Sequence, residues 1–234
     1  MKRLFCFLLL IVLVVFCFKT EGFSALKEVN VVTFFSKPII IVDAGHGGFD
    51  GGAVKGNIIE KDINLRFALS LEPMLKAFGY KVLMTRTTDS STEDAGLSTI
   101  RQKKVSDIKN RLSLIENNEI ECFISLHQNM FSQSAYKGTQ VFYSDNNASS
   151  EIYAKCIKEN IQGLLQTENK REIKSCGKNI YLMYYTTKPA VLVECGFMSN
   201  YEELNLLLDE NYRKKLNFCI LNGVLKGGKI IKDG

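Results

Sequence analysis

The chain has 234 residues, of which 46% are hydrophobic and 24% are charged, a composition typical of a globular protein and unlike that of a disordered one. Its formal net charge is only +5 and its basic residues are spread along the chain, so the composition does not indicate nucleic-acid binding. A mildly cationic surface would still suit an anionic polymer such as a cell wall.

The sharpest change in composition lies at residues 1–18, MKRLFCFLLLIVLVVFCF, where Lys2 and Arg3 precede a long apolar run. The run has the length of the hydrophobic part of a signal peptide and is shorter than the ~20 residues of a full bilayer span. We therefore predict an exported, extracytoplasmic protein, with residues 1–24 as a signal peptide or membrane anchor and 25–37 as a linker. We expect any contact with a membrane to be made through this segment alone.

Apolar runs alternate with amphipathic stretches over residues 38–228, which we predict to form one domain followed by a tail at 229–234. The predicted strands cover 38–45, 80–86, 121–127, 138–144, 180–185 and 190–196. The predicted helices cover 61–79, 107–118, 149–166 and two stretches within 200–227. Strands separated by helices of this length indicate an α/β fold with a twisted, mainly parallel sheet and helices on both faces. The polar stretch 87–104 is longer than most connections, which predicts either a functional loop or a mobile one.

The two histidines of the chain and one acidic residue follow three of the predicted strands: His46, His127 and Glu194. Ligands of open α/β sheets bind beyond the carboxyl ends of the strands, so these side chains should converge. Glu60 begins the helix that returns from the first strand, and the glycine-rich stretch GHGGFDGG (residues 45–52) allows the tight turn that links it to His46.

Two histidines and one carboxylate, with one position left open for water, form a catalytic zinc site. Zinc lowers the pKa of its bound water to about 7. Glu194 would take a proton from that water and later give it to the leaving amine. Asp43 would either orient His46 from behind or serve as an ordinary turn residue at the end of the strand.

Plainer interpretations of the same residues stay open. A histidine at the end of a strand is often a polar boundary residue, and Glu60, followed by two more charged residues, is typical of a helix N-terminus. The glycine cluster could bind phosphate, although it matches neither common phosphate motif. Of seven cysteines, Cys195 could act as a nucleophile with His127, although its apolar neighbours favour a small buried side chain. Glu194, also among apolar residues, is costly to bury without a partner.

Three segments in order along the chain resemble the motif blocks of the zinc-dependent N-acetylmuramoyl-L-alanine amidases of the amidase-3 type: VDAGHGGFDGGAVKGNIIEKDINL, FISLHQN and KPAVLVECGFMSN. The likeness runs from about residue 39 to residue 227. The N-terminal apolar segment, the absence of wall-binding repeats and the stretches IRQKKVSDIKNRL and NIYLMYYTTKPAVLVECGFMSN are most similar to the germination-specific spore-cortex members of that family in endospore formers. Gln128 and Cys195 depart from the commoner residues at their positions.

The resemblance implies that Zn²⁺ is held by His46, Glu60 and His127, with Glu194 as the catalytic acid and base. It implies cleavage of the amide between the lactyl group of N-acetylmuramic acid and the L-alanine of the stem peptide, on peptidoglycan glycan strands. In spore formers this cleavage resembles the first step toward muramic-δ-lactam, which a cooperating deacetylase completes.

Two other functions remain as alternatives. One is a peptidoglycan-binding module of the same fold with weak activity of its own, which would depend on an activating or targeting protein. The other is a zinc peptidase that shortens the stem peptide and leaves the lactyl amide intact.

Overall fold

A computed structural model describes residues 38–234, so the predicted signal or anchor at 1–24 and the linker at 25–37 lie outside the described residues. The strands are Ile39–Ala44 (β1), Val54–Lys55 (β2), Ile58–Ile59 (β3), Lys81–Met84 (β4), Cys122–Asn129 (β5), Gln140–Tyr143 (β6), Lys174–Ser175 (β7) and Ala190–Phe197 (β8). The α-helices are Glu60–Ala77 (α1), Ile100–Glu116 (α2), Ala148–Leu164 (α3), Tyr181–Tyr185 (α4), Tyr201–Leu208 (α5) and Glu210–Asp233 (α6).

Six of the strands form one sheet in the order β4-β1-β5-β8-β6-β7. The first four of these are mutually parallel, whereas β6 runs antiparallel to β8 and carries β7 parallel to itself at the edge. The predicted α/β fold with a mainly parallel sheet is therefore confirmed. Because β1, β5 and β8 are adjacent and parallel, their carboxyl ends meet at one edge, where His127 lies opposite Glu194 in the strand register.

Helices cover both faces of the sheet. The larger core joins β1, β5 and β8 to α1, α3, α5 and α6, and the smaller core joins the opposite face to α2 and α4. Burial on both faces explains why the central strands are almost continuously apolar in sequence.

The long helix α6 packs closely against α3 through glycines. A Cβ atom at Gly223 would lie 2.4 Å from the Cα of Ile157, and one at Gly227 would lie 2.6 Å from Cδ1 of Tyr153. Since a side chain at either position would meet the facing helix, glycine is what permits this approach. Residues 229–233, expected as part of a tail, continue α6.

The predicted strand at 180–185 is wrong, because the segment forms the short helix α4. Leu182 and Met183 are buried together, and Tyr184 and Tyr185 are exposed together, so burial does not alternate as it does in a strand. The two-residue strand β7 takes the edge position beside β6 instead. A run of apolar residues with high strand propensity does not reveal this difference, since the packing partners decide it.

Helix α2 begins at Ile100, earlier than the start predicted at residue 107. A capping box sets this start: the Thr99 hydroxyl accepts a hydrogen bond from the backbone of Gln102, and the Gln102 side chain accepts one from the backbone of Thr99. The preceding polar loop is held on α2 by the Asp107 carboxylate, which accepts from the backbone N–H of Thr92. Within residues 38–234, no helix has both the length and the apolar character needed to cross a membrane.

We predict that Gly223→Ala destabilises the protein by about 1–3 kcal/mol, because the added methyl group would overlap the backbone of α3. Thermal unfolding followed by circular dichroism measures the effect. The matched control is Gly163→Ala in α3, where nothing lies within 4 Å of the added atom. That change should leave stability unchanged or raise it by up to about 1 kcal/mol. Equal melting temperatures for the two variants would contradict the packing argument.

Candidate metal centre

The chain turns sharply after β1 through an unusual backbone conformation at His46. With φ at 61°, His46 is the one non-glycine residue of the described chain with positive φ, and Gly47 and Gly48 follow with φ of 137° and 53°. The N–H groups of Gly47 and Asp50 each donate to the other's carbonyl, at 2.9 and 3.0 Å. A left-handed conformation costs about 1–2 kcal/mol for a residue with a side chain, so the surrounding structure must hold this turn.

Three predicted ligands meet at the edge of the sheet. Nε2 of His46 lies 3.3 Å from Oε2 of Glu60, and Nδ1 of His127 lies 3.1 Å from Oε1 of the same carboxylate. One ligand atom from each residue lies within 4.8 Å of the others. Ligands of a tetrahedral zinc ion lie about 3.3 Å from one another, so the donor set fits a metal ion of this kind.

Backbone and side-chain donors fix the Glu60 carboxylate between the two imidazoles. Oε2 accepts from the N–H of Ala53 at 2.8 Å, and Oε1 accepts from the N–H of Gln128 at 3.1 Å and from the Asn64 amide at 3.2 Å. Burial alone would raise the pKa of Glu60, but the hydrogen bonds to His127 and His46 outweigh it and the pKa is lowered. Glu60 is therefore an ionised carboxylate with a fixed orientation.

Asp50 supports His46 from the other side of the ring, with its Oδ2 2.8 Å from Nδ1. Burial lowers the pKa of His46, but the hydrogen bonds and charges of Glu60 and Asp50 raise it to about 9. Surroundings that stabilise positive charge so strongly would also stabilise a metal cation. Asp50 is the kind of outer carboxylate that fixes the orientation of a metal-binding histidine.

Two glycines leave the space that the ligands occupy. A Cβ atom at Gly45 would lie 2.2 Å from the His127 ring, and one at Gly52 would lie 2.5 Å from Oε2 of Glu60 and 2.6 Å from Cδ2 of His46. The glycine-rich stretch is therefore needed for close packing around the centre as well as for the turn.

Glu194, the fourth predicted residue, lies on β8 beside His127. Its Oε2 atom is buried and has no hydrogen-bond partner among the described residues. Burial raises the pKa of Glu194 to about 7, and the Glu60 charge adds to this while His127 and His46 act against it. A carboxyl group with this pKa exchanges a proton near neutral pH.

Of the two roles left open for Asp43, the structure does not support that of orienting His46, because Asp50 contacts the His46 ring instead. Asp43 is buried, accepts a hydrogen bond from the Ser125 hydroxyl at 2.6 Å and forms an ion pair with Arg111. Burial would raise the pKa of Asp43, but the Arg111 charge lowers it.

Two buried arginines hold the backbone of the turn. Arg111 donates to the carbonyls of Ala44 at 3.1 Å and His46 at 2.8 Å, and Arg86 donates to those of Ala44 at 2.9 Å and Gly45 at 3.1 Å. Neither arginine was predicted from the sequence, although Arg111 lies in the stretch DIKNRL, which forms part of the family resemblance.

Cys195 belongs to the larger core, on the face of β8 opposite to that of Glu194. Burial raises the pKa of its thiol, which therefore stays protonated. The cysteine-nucleophile alternative is not supported.

The model of the Amidase_3 family, described as N-acetylmuramoyl-L-alanine amidase, matches residues 40–226. The germination-specific N-acetylmuramoyl-L-alanine amidase of Bacillus subtilis (strain 168) is 37% identical over 191 residues, covering 82% of this chain and 80% of the relative.

Two solved structures share the fold. The CwlD amidase from Clostridioides difficile, in complex with the GerS lipoprotein, aligns with a TM-score of 0.79 and 40% identity over 83% of this chain and all (100%) of that one. The catalytic domain of CwlV, an N-acetylmuramoyl-L-alanine amidase from Bacillus (Paenibacillus) polymyxa var. colistinus, aligns with a TM-score of 0.68 and 29% identity over 83% and 98%.

We predict that Gly52→Ala abolishes metal binding, because the new methyl group would occupy the position of the Glu60 carboxylate and the His46 ring. Isothermal titration with a zinc salt measures the loss. Gly56→Ala is the matched control, since Gly56 also has positive φ, 59° against 70°, but nothing lies within 4 Å of its added atom. Both variants carry the backbone cost of about 1–2 kcal/mol. Zinc affinity that stays at the wild-type value in Gly52→Ala would refute the prediction.

Proposed function

Since the chain belongs to the Amidase_3 family of N-acetylmuramoyl-L-alanine amidases, we propose that His46, Glu60 and His127 are its zinc ligands and that Glu194 is its catalytic acid and base. The protein is an amidase of the germination-specific type, and its substrate is peptidoglycan. The residue assignment rests on Oε2 of Glu194, which is buried and has no hydrogen-bond partner within residues 38–234, and which lies beside a three-residue donor set.

Two imidazoles and one carboxylate leave the fourth tetrahedral position open, as catalytic zinc sites do. A zinc ion bound there would supply Lewis acidity, lowering the pKa of water to about 7 and polarising the scissile carbonyl. The protein itself holds the three ligand side chains in fixed positions. Glu60 is held by backbone N–H groups, and His46 is held by Asp50.

Glu194 moves the proton. Its Oε2 accepts a proton from the attacking water as the water oxygen bonds to the lactyl carbonyl carbon, and it then delivers that proton to the nitrogen of L-alanine as the C–N bond breaks. The products are a lactyl carboxylate and a stem peptide with a free amino terminus. A pKa of about 7 suits both halves of this cycle, because the group is neither firmly ionised nor firmly protonated at neutral pH.

We place the reaction in the spore cortex, in line with the germination-specific relative from Bacillus subtilis. There the free lactyl group would be the starting point for muramic-δ-lactam, with a separate deacetylase completing the ring. Such a reaction takes place outside the cytoplasm, which agrees with the export segment predicted at residues 1–24.

A partner protein belongs to the same proposal. The solved CwlD amidase is in complex with the GerS lipoprotein, and at 40% identity this chain is similar enough to use a partner of the same kind. The comparison that tests this is turnover by the purified protein with and without its exported partner.

We predict that Glu194→Gln lowers turnover about 10²- to 10⁴-fold while zinc content and melting temperature stay close to wild type, because the amide cannot carry the proton. Mass spectrometry of digested glycan fragments follows the reaction through newly free amino groups on L-alanine. Cys195→Ala, on the opposite face of the same strand, is the control and should retain turnover. Shortened stem peptides with intact lactyl amides would instead indicate a peptidase.

We predict that a chelator removes both activity and part of the thermal stability, since a ligand that binds only the folded protein stabilises it. Adding one equivalent of zinc should restore both. A chelated protein, shown by mass spectrometry to contain no zinc, that still cleaves muropeptides at the wild-type rate would rule out the zinc assignment.

A further inference from the structure

A cleft of about 170 Å³ opens beside the metal centre on the face covered by α2 and α4. His46 and His127 lie on its inner side, and Ile108 and Leu182 form an apolar wall. Lys104, from the first half of α2, lies at its edge with its side chain 54% exposed. A substrate whose scissile amide lies at the metal centre therefore has this cleft available for the part of the molecule next to that amide.

Most of the charged groups that line the cleft are already paired. Arg111 is buried and donates hydrogen bonds to Asp43, to Asp107 and to the carbonyl of His46. These bonds leave it no free charge to offer a substrate. Lys104 differs, because within residues 38–234 its Nζ contacts one acceptor, Oδ1 of Asp50 at 2.9 Å. An ammonium group has three donors, so two of them remain available to a ligand or to water.

We propose that Lys104 is a specificity residue whose Nζ binds a free carboxylate of the stem peptide, close behind the L-alanine that is released. This inference rests on the proposed function. Only the Asp50 carboxylate separates Nζ from the His46 ring. Because an extended residue spans about 3.5 Å, a carboxylate one or two residues beyond the scissile amide is within reach.

A lysine at this position suits the task. Its flexible stem and compact charge can follow a peptide carboxylate without the fixed geometry that an arginine fork requires. Bridging between Asp50 and a substrate carboxylate would also tie substrate binding to the side chain that orients His46.

A purely structural role makes a different prediction. If Lys104 only supported Asp50, its removal would disturb His46 and lower zinc affinity and kcat for every substrate. If it binds a substrate carboxylate, its removal raises KM for substrates that carry this group and leaves the others nearly unchanged.

The experiment compares Lys104→Met with wild type, both loaded with zinc, on two sets of soluble glycan fragments. In one set the second residue of the stem peptide carries a free carboxylate, and in the other that carboxylate is an amide. We expect Lys104→Met to raise KM for the first set about fivefold to tenfold with little change in kcat, a size that fits a half-exposed charge pair. For the amidated set KM should change less than twofold.

Lys104→Arg tests the charge and should keep most of the preference for the free carboxylate. Lys109→Met, on the same helix but outside the cleft, is the matched control and should behave as wild type. Unchanged preference in Lys104→Met, or equal losses on both substrate sets with reduced zinc content, would overturn the inference while leaving the proposed amidase function intact. Failure of the zinc-loaded wild-type protein to cleave either set, both alone and with its partner present, would overturn the proposed function itself, and the inference with it.

Discussion

The buried ion pair between Asp43 and Arg111 is the interaction on which the metal centre depends. It lies beneath the turn after β1, and the rest of the guanidinium holds the carbonyls of Ala44 and His46 in place. Removing one partner of such a pair typically costs about 3–5 kcal/mol, because the other charge is left buried. The hydrogen bonds from Arg111 to the carbonyls of Ala44 and His46 hold the turn in its left-handed conformation, which costs about 1–2 kcal/mol at a residue with a side chain.

The parallel strands bring His127 and Glu194 to the same edge of the sheet as His46. Glycines at neighbouring positions leave the space that the side chains of the site need. The strand register alone places His127 beside Glu194, but Gly45 must lack a Cβ atom for the His127 ring to fit, and Gly52 must lack one for Glu60. The positions of the ligands therefore require glycine at both places. Glu60 comes from the start of α1 and not from a strand. It reaches the centre because the glycine-rich segment after β1 turns the chain back toward His46.

The sequence was sufficient to predict the parallel sheet and the convergence of His46, His127 and Glu194, since both follow from strand ends that apolar patterning makes visible. Glu60 was predicted to join them because a glycine-rich turn links its helix to His46. The sequence was not sufficient for 180–185, where the five residues Tyr181–Tyr185 of an apolar, tyrosine-rich run form a helix because of what they pack against. Nor did it identify Asp50 as the carboxylate that orients His46, since its position beside the His46 ring depends on a left-handed turn. Arg86 and Arg111 were missed for a related reason: an arginine is usually solvated, and these are buried only because backbone carbonyls of the turn need donors.

Glu60 and Glu194 show how one residue type comes to serve two different purposes in the same site. Glu60 accepts hydrogen bonds from N–H groups of Ala53, Gln128 and Asn64 and faces both imidazoles. Its hydrogen bonds to His127 and His46 outweigh burial and lower its pKa. Glu194 is buried without any such donor among the described residues and has its pKa raised to about 7. Donors supplied by the fold, rather than the carboxyl groups themselves, thus separate an anion suited to hold a cation from an acid suited to exchange a proton. An added hydrogen-bond donor near Oε2 of Glu194 would make the two carboxylates alike, and the site would then lack a group able to protonate the leaving amine.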